Sequence, residues 1–311
     1  MQGSSCQELA DLGQSILDWS LSINKQASLP QPECFCSTQK CQMDVSSISP
    51  YFVMQLTNFD SVQMESAHNG PNCFNAALYA SQTLPSVSFT HPYEMTAILS
   101  SSLCRERRDD ENLQPGDILV VRDQSTALFE IHAGVYLNQE LSFSKYGESK
   151  MMPYSYGINV HRTYGVRDEQ CARVQGIPEV GEACYRKPFV NFYSCKAMYT
   201  FVSQLSKQPD GINEAVRVIY AKVYSYDNKI SRVAFKGDPI TSEDLQTLLS
   251  NLQTVYEKTL TVSSANLNQE NREFLKLIHF HIFSLYEQAQ RIAAGMGKPE
   301  LARSPLSKPS L

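Results

Sequence analysis

Little in this 311-residue sequence points to a membrane or a nucleic acid. No apolar run approaches the roughly 20 residues that a helix needs to cross a bilayer. Positive charge is not in excess: the net charge of −5 leaves no electrostatic footprint for nucleic acid or an anionic membrane. The opening "MQGSSCQELADLG" lacks the basic segment and apolar stretch of a signal peptide, so an exported chain would already have shed its leader. "GSSC" is a poor match to a lipoprotein cleavage site, and no internal repeat is visible. What is present is ordinary for a folded chain, with 42% hydrophobic and 19% charged residues. The length exceeds what one core usually spans and predicts one large domain with additions, or two domains.

Cysteine is well represented, with nine residues: Cys6, Cys34, Cys36, Cys41, Cys73, Cys104, Cys171, Cys184 and Cys195. An odd number leaves at least one thiol after complete pairing, and Cys73 is the natural odd one out. The other eight suit a disulfide framework, which predicts a periplasmic or secreted location. "CFCSTQKC" lacks the C-x-x-C pair of a zinc site and has no partner His or Cys close by. No cofactor or metal is implied.

Period and punctuation divide the chain. Apolar residues from Leu9 to Ile23 predict an amphipathic helix over 7–24, and a second helical stretch covers Tyr51 to Leu56. "NGPNCFNAAL" is a turn followed by a helix start, with Asn72 as N-cap and Cys73 in the first turn, and Pro85 stops that helix. "PGDILVVRD" switches to a β-run over Ile118–Arg122. A hairpin follows, Phe129–Leu137 and Leu141–Lys145, around Asn138-Gln139, and "INVHRTYGV" predicts another strand. After Pro188, "FVNFYSCKAMYTFVSQL" and three later segments carry wide apolar stripes that predict helices. The expected division is an N-terminal helix and Cys-rich segment over 1–57, a catalytic module over 58–170, a mainly helical region over 171–297 and a disordered tail over 298–311.

A thiol in the first turn of a helix meets the positive end of the dipole and exposed backbone N–H groups, both of which favour the thiolate. His132 lies in "EIHAGVYL", where Ile131, Ala133, Val135 and Leu137 alternate onto the opposite face. Such alternation leaves His132 free to line a cleft, where an imidazole could accept the thiol proton and later pass it to a leaving amine.

A helix-opening cysteine, then "PGDILVV", then "HAGVYL" and a hairpin resembles the NlpC-type cell-wall cysteine peptidases over about Phe59 to Gly165. The resemblance implies an α+β, papain-like module whose Cys helix packs on an antiparallel sheet, flanked here by N- and C-terminal helical segments. The family usually shows Asp-Cys-Ser-Gly where this chain has Asn72-Cys73-Phe74-Asn75. A third polar residue normally orients the imidazole about a dozen positions after the catalytic His, and that position is Ser144. The implied set is Cys73, His132 and Ser144, with the Cys73 N–H and His68, Asn69 and Asn72 at the oxyanion or substrate side. A serine hydroxyl accepts an imidazole N–H but does not stabilise an imidazolium as a carboxylate would, and Lys145 would disfavour the cation if it faced the same way.

The implied reaction is acyl transfer to water on the peptide part of peptidoglycan or another envelope amide, with the helical regions as scaffold or docking surface for an envelope protein partner. The competing expectation is a papain-like module that binds or scaffolds without turnover. Elsewhere, His161 is a rival base, and His279 and His281 on one helix point apart, against a metal pair. Arg105 to Arg108 read as a solvated loop.

Overall fold

The computed structural model describes residues 2–3, 5–24, 33–37, 41–45, 71–108, 110–122, 130–138, 141–145, 154–158, 189–208, 211–236, 238–262, 266–302 and 306. The fold is mixed α and β, with seven α-helices among the described residues. At the N-terminus, β1 (Gln2–Gly3), β2 (Cys34–Cys36) and β3 (Cys41–Met43) form a small antiparallel sheet in the order β1-β3-β2, against which α1 (Cys6–Asn24) packs. Leu9, Leu12, Ile16 and Trp19 form the buried stripe of α1 that their spacing predicts. The Trp19 ring reaches Phe143 at 6.3 Å between centroids.

Six antiparallel strands make the main sheet: β4 (Cys104–Glu106), β5 (Ile118–Arg122), β6 (Glu130–Tyr136), β7 (Leu141–Lys145), β8 (Tyr154–Ile158) and β9 (Phe189–Cys195). Their order is β4-β9-β5-β6-β7-β8. The predicted hairpin is present, closed where the Asn138 side chain accepts the Leu141 N–H at 2.8 Å. Residues 189–195 correct the sequence reading: "FVNFYSC" is a strand in the body of the sheet, and only Met198–Ser206 (α4) is helical. The boundary expected at residue 171 therefore does not separate the sheet from the helices. "INVHRTYGV" falls mostly outside the described residues, β8 reaching only to Ile158.

Register assigns the faces. Ile118, Val120, Ala133, Val135 and Phe143 share one face and belong to the large core. Leu119, Val121, His132, Gly134, Ser142 and Ser144 share the other. Ile131 does not continue the first face as alternation predicts, because the register shifts between Val121 and Arg122 and leaves it 37% exposed. At Gly134 a Cβ would stand 2.9 Å from the Phe143 carbonyl oxygen and 3.2 Å from Ser144 Cβ. Gly134→Ala is accordingly expected to cost about 1–3 kcal/mol in urea unfolding, by forcing β6 and β7 apart.

The helical side contains α2 (Cys73–Ala80), α3 (Pro92–Leu99), α5 (Glu214–Lys236), α6 (Ser242–Thr261) and α7 (Gln269–Gly295). α2 packs on β6 and β7, α3 touches β4, β6 and α7, and α5, α6 and α7 pack on one another. Thr241 and Asn268 cap α6 and α7 by accepting the Asp244 and Asn271 N–H groups. α2 stops at Ala80, earlier than Pro85, where Gln82 takes a left-handed φ of 63°. Arg105 to Arg108 are not merely a solvated loop: residues 104–106 are strand, and Arg107 makes a bidentate ion pair with buried Asp117 at 3.0 and 3.1 Å. The tail does not read as disordered throughout, since Pro299–Ala302 form a 3-10 turn and Leu306 is buried. The helix expected over Tyr51–Leu56 lies outside the described residues.

Disulfides join Cys6 to Cys34, Cys36 to Cys41 and Cys104 to Cys195, the last tying β4 to β9. Cys73 is a thiol, as the odd count predicts. The sulfurs of Cys6, Cys36 and Cys41 lie within 4.8 Å of one another, but all are disulfide-bonded, which leaves no thiolate for zinc. Cys171 and Cys184 lie outside the described residues. Among the described residues no helix is long and apolar enough to cross a membrane.

Candidate functional site

Cys73 opens α2, the position its flanking residues predict. Asn72 holds the helix start: its side-chain oxygen accepts the Asn75 N–H at 3.1 Å, and its amide donates to the Thr90 carbonyl at 2.6 Å. Both ends of the Asn72 side chain are thus engaged, one in the cap and one with Thr90. Asn75 continues the same work. Its oxygen accepts the Ser88 N–H at 3.0 Å, and its amide reaches the Ser88 and Thr90 hydroxyls at 3.2 and 3.3 Å. Every residue of α2 except Tyr79 is buried, so the helix lies inside the molecule with Cys73 8% exposed.

His132 sits on β6, the strand on which α2 packs, but on the sheet face opposite the large core to which Cys73 belongs. It is 3% exposed, so it does not line an open cleft as alternation alone suggested: the face opposite the main core is covered here too. Burial, which penalises the imidazolium, pushes its pKa down to about 4. At neutral pH the ring is therefore the uncharged base.

Ser144 shares the sheet face of His132 but lies opposite Gly134, two residues along the strand. Its buried hydroxyl has no hydrogen-bond partner among the described residues, and the diagonal offset keeps it from standing directly opposite the imidazole. Lys145, the next residue, alternates to the other face and is buried there. His68, Asn69 and His161 lie outside the described residues.

A second polar constellation has no counterpart in the sequence reading. His281 on α7 donates from Nδ1 to Glu94 Oε1 of α3 at 2.8 Å, and its Nε2 lies 3.6 Å from Asp227 Oδ2 of α5. Ser284 donates to Glu94 at 2.5 Å, and Ser86 and Ser231 donate to Asp227 at 2.5 and 3.2 Å. Burial alone would lower the His281 pKa, but the two carboxylates outweigh it and hold the pKa up to about 10. Burial likewise opposes the Asp227 charge, yet His281 and the two serines keep that pKa below the usual range. The sequence signal was poor, because residues 94, 227 and 281 are far apart and each reads as a lone polar residue in a helix. His279 points elsewhere, as its spacing predicts, stacking on Tyr256 and meeting Thr259 at 2.6 Å.

Comparison with protein-family models, with curated proteins and with solved structures finds no match to this chain.

Proposed function

We propose that this chain is a thiol-dependent hydrolase that opens an amide by acyl transfer through Cys73, outside the cytoplasm. The carrying observation is that Cys73 remains a thiol at the start of a helix while six other cysteines are paired. In this reading a base takes the thiol proton as sulfur attacks the carbonyl, then returns it to the leaving amine; the motif resemblance gives that role to His132, although the register turns it to the face opposite the core that holds Cys73. Water releases the acyl group, and the N–H groups at the start of α2 face the developing oxyanion. The papain-like arrangement and the peptidoglycan-peptide substrate rest on the motif resemblance, and the three disulfides suit a periplasmic or secreted setting.

Specific observations favour a second reading, a papain-like module that binds or scaffolds without turnover. Cys73, His132 and Ser144 are all buried, Ser144 bonds no partner among the described residues, and Asn72 is occupied by the cap and Thr90. The two readings separate on iodoacetamide labelling at pH 6, resolved by residue in mass spectrometry, together with turnover of peptidoglycan stem peptides. A hydrolase shows selective modification at Cys73, at least about tenfold faster than an ordinary thiol, and Cys73→Ala abolishes hydrolysis while the protein stays folded. Labelling at the ordinary rate, or hydrolysis that survives Cys73→Ala, overturns the hydrolase.

A further inference from the structure

We infer that Cys6, Cys34, Cys36 and Cys41 form a thiol–disulfide exchange site, entered by a dithiol reductant at Cys36, in which Cys36 then displaces Cys34 from Cys6. The site uses neither Cys73 nor His132. Cys6 opens α1, Cys34 and Cys36 stand two residues apart on β2, and Cys41 faces Cys36 across the β2–β3 pair. Two bridges thereby come into contact: Cys6 Sγ lies 3.2 Å from Cys36 Sγ, although each is bonded to a different partner. Cys104–Cys195, on the main sheet, belongs to no such sulfur group among the described residues.

Exposure and loop length set the order of events. Cys36 is exposed and Cys41 buried, so an incoming thiolate reaches Cys36 and Cys41 is the leaving sulfur. Cys36–Cys41 also closes the shortest loop, with a sequence separation of 5 against 28 and 91 for the other two bridges, so its opening forfeits the least chain-entropy stabilisation. The first sulfur of the dithiol forms a mixed disulfide on Cys36, and Cys41 departs as thiolate. The second sulfur then closes the reagent into a cyclic disulfide and frees Cys36 as thiolate, so the dithiol is oxidised and the bridge reduced. Cys36 next attacks Cys6: the Cys6–Cys36 bond forms, the Cys6–Cys34 bond breaks and Cys34 leaves as thiolate, with no further change of oxidation state. Cys41 is the poorer competitor, because its place in the apolar core favours thiol over thiolate. Cys6–Cys34 and Cys6–Cys36 span sequence separations of 28 and 30, so chain entropy favours neither arrangement and both are populated. Either one keeps the start of α1 tied to β2, so the helix stays on the small sheet through partial reduction.

The probe is one equivalent of dithiothreitol on the full native chain at pH 8. The reaction is stopped in acid, and the protein is unfolded and alkylated with N-ethylmaleimide at pH 5, where too little thiolate remains to scramble the bridges. Tandem mass spectrometry then locates each label. Expected in the reduced fraction is one label on Cys41 and a second shared between Cys36 and Cys34, with at least about a fifth of it on Cys34. Cys104–Cys195 stays bridged. Resistance of Cys36–Cys41 to the reagent, earlier opening of Cys104–Cys195, or a second label confined to Cys36 each overturns the site.

Discussion

His281→Ala is expected to lower the stability of the protein by about 3–5 kcal/mol at pH 7, the usual result of removing one partner from a buried ion cluster. The loss is large because the imidazolium offsets the buried charge of Asp227 and bonds Glu94. Without it, three helices meet around two unneutralised carboxylates. Urea unfolding gives the free energy directly, and the melting temperature should fall by roughly 10 °C. The effect also carries a pH signature. A histidine whose folded pKa is raised to about 10 from the ordinary 6.5 contributes stability that is complete below pH 6.5 and declines as pH climbs to 10. The gap between wild type and His281→Ala should therefore be widest just below pH 6.5 and narrow steadily into alkali. A gap below about 1 kcal/mol at pH 7 would show that the helices hold together without the cluster.

His132 gives the second large effect, with the opposite sign. Its folded pKa of about 4 lies below the ordinary 6.5, so between those values the unfolded chain takes up a proton that the folded chain refuses. Stability is whole above pH 6.5 and drains away as pH falls toward 4, by roughly 3 kcal/mol over the full interval. His132→Gln should flatten that part of the stability curve while Asp227, which titrates lower, still contributes in stronger acid. Urea denaturation of both proteins at pH 7 and pH 4.5 makes the comparison. Equal slopes in the two would mean that the imidazole charges without penalty and is better hydrated than its burial implies. The same curve explains why thiol labelling belongs at pH 6 rather than lower, where the fold itself is weakening.

The parts of the fold that were readable from sequence are the local ones. Asn72 before Cys73, the alternating run of β6, Asn138 in its turn and the apolar stripe of α1 each act within a few residues of themselves. What could not be read is non-local. "FVNFYSC" spaces its aromatics like a helix face, and only the strands it joins make it a strand. Those partners lie more than 65 residues upstream. Arg107 read as solvated because its carboxylate, Asp117, meets it only once the chain folds back. Of the proposed catalytic set, the cysteine's place at a helix start was legible from its flanking turn. The burial of His132 and the diagonal offset of Ser144 depend on strand register and on what covers the sheet, which alternation does not encode.

The position of β9 bears on how this protein can be divided. A fragment cut to the motif-bearing segment, 58–170, would keep β5 to β8 and the Cys helix yet lose the strand that lies between β4 and β5. Its β5 would present an open row of backbone donors and acceptors, the template on which strands of other chains assemble. β4 would lose both its one sheet neighbour among the described residues and its half-cystine partner. Recombinant work on this segment alone is headed for inclusion bodies, and the shortest sensible truncation keeps residue 195 and the helices that follow.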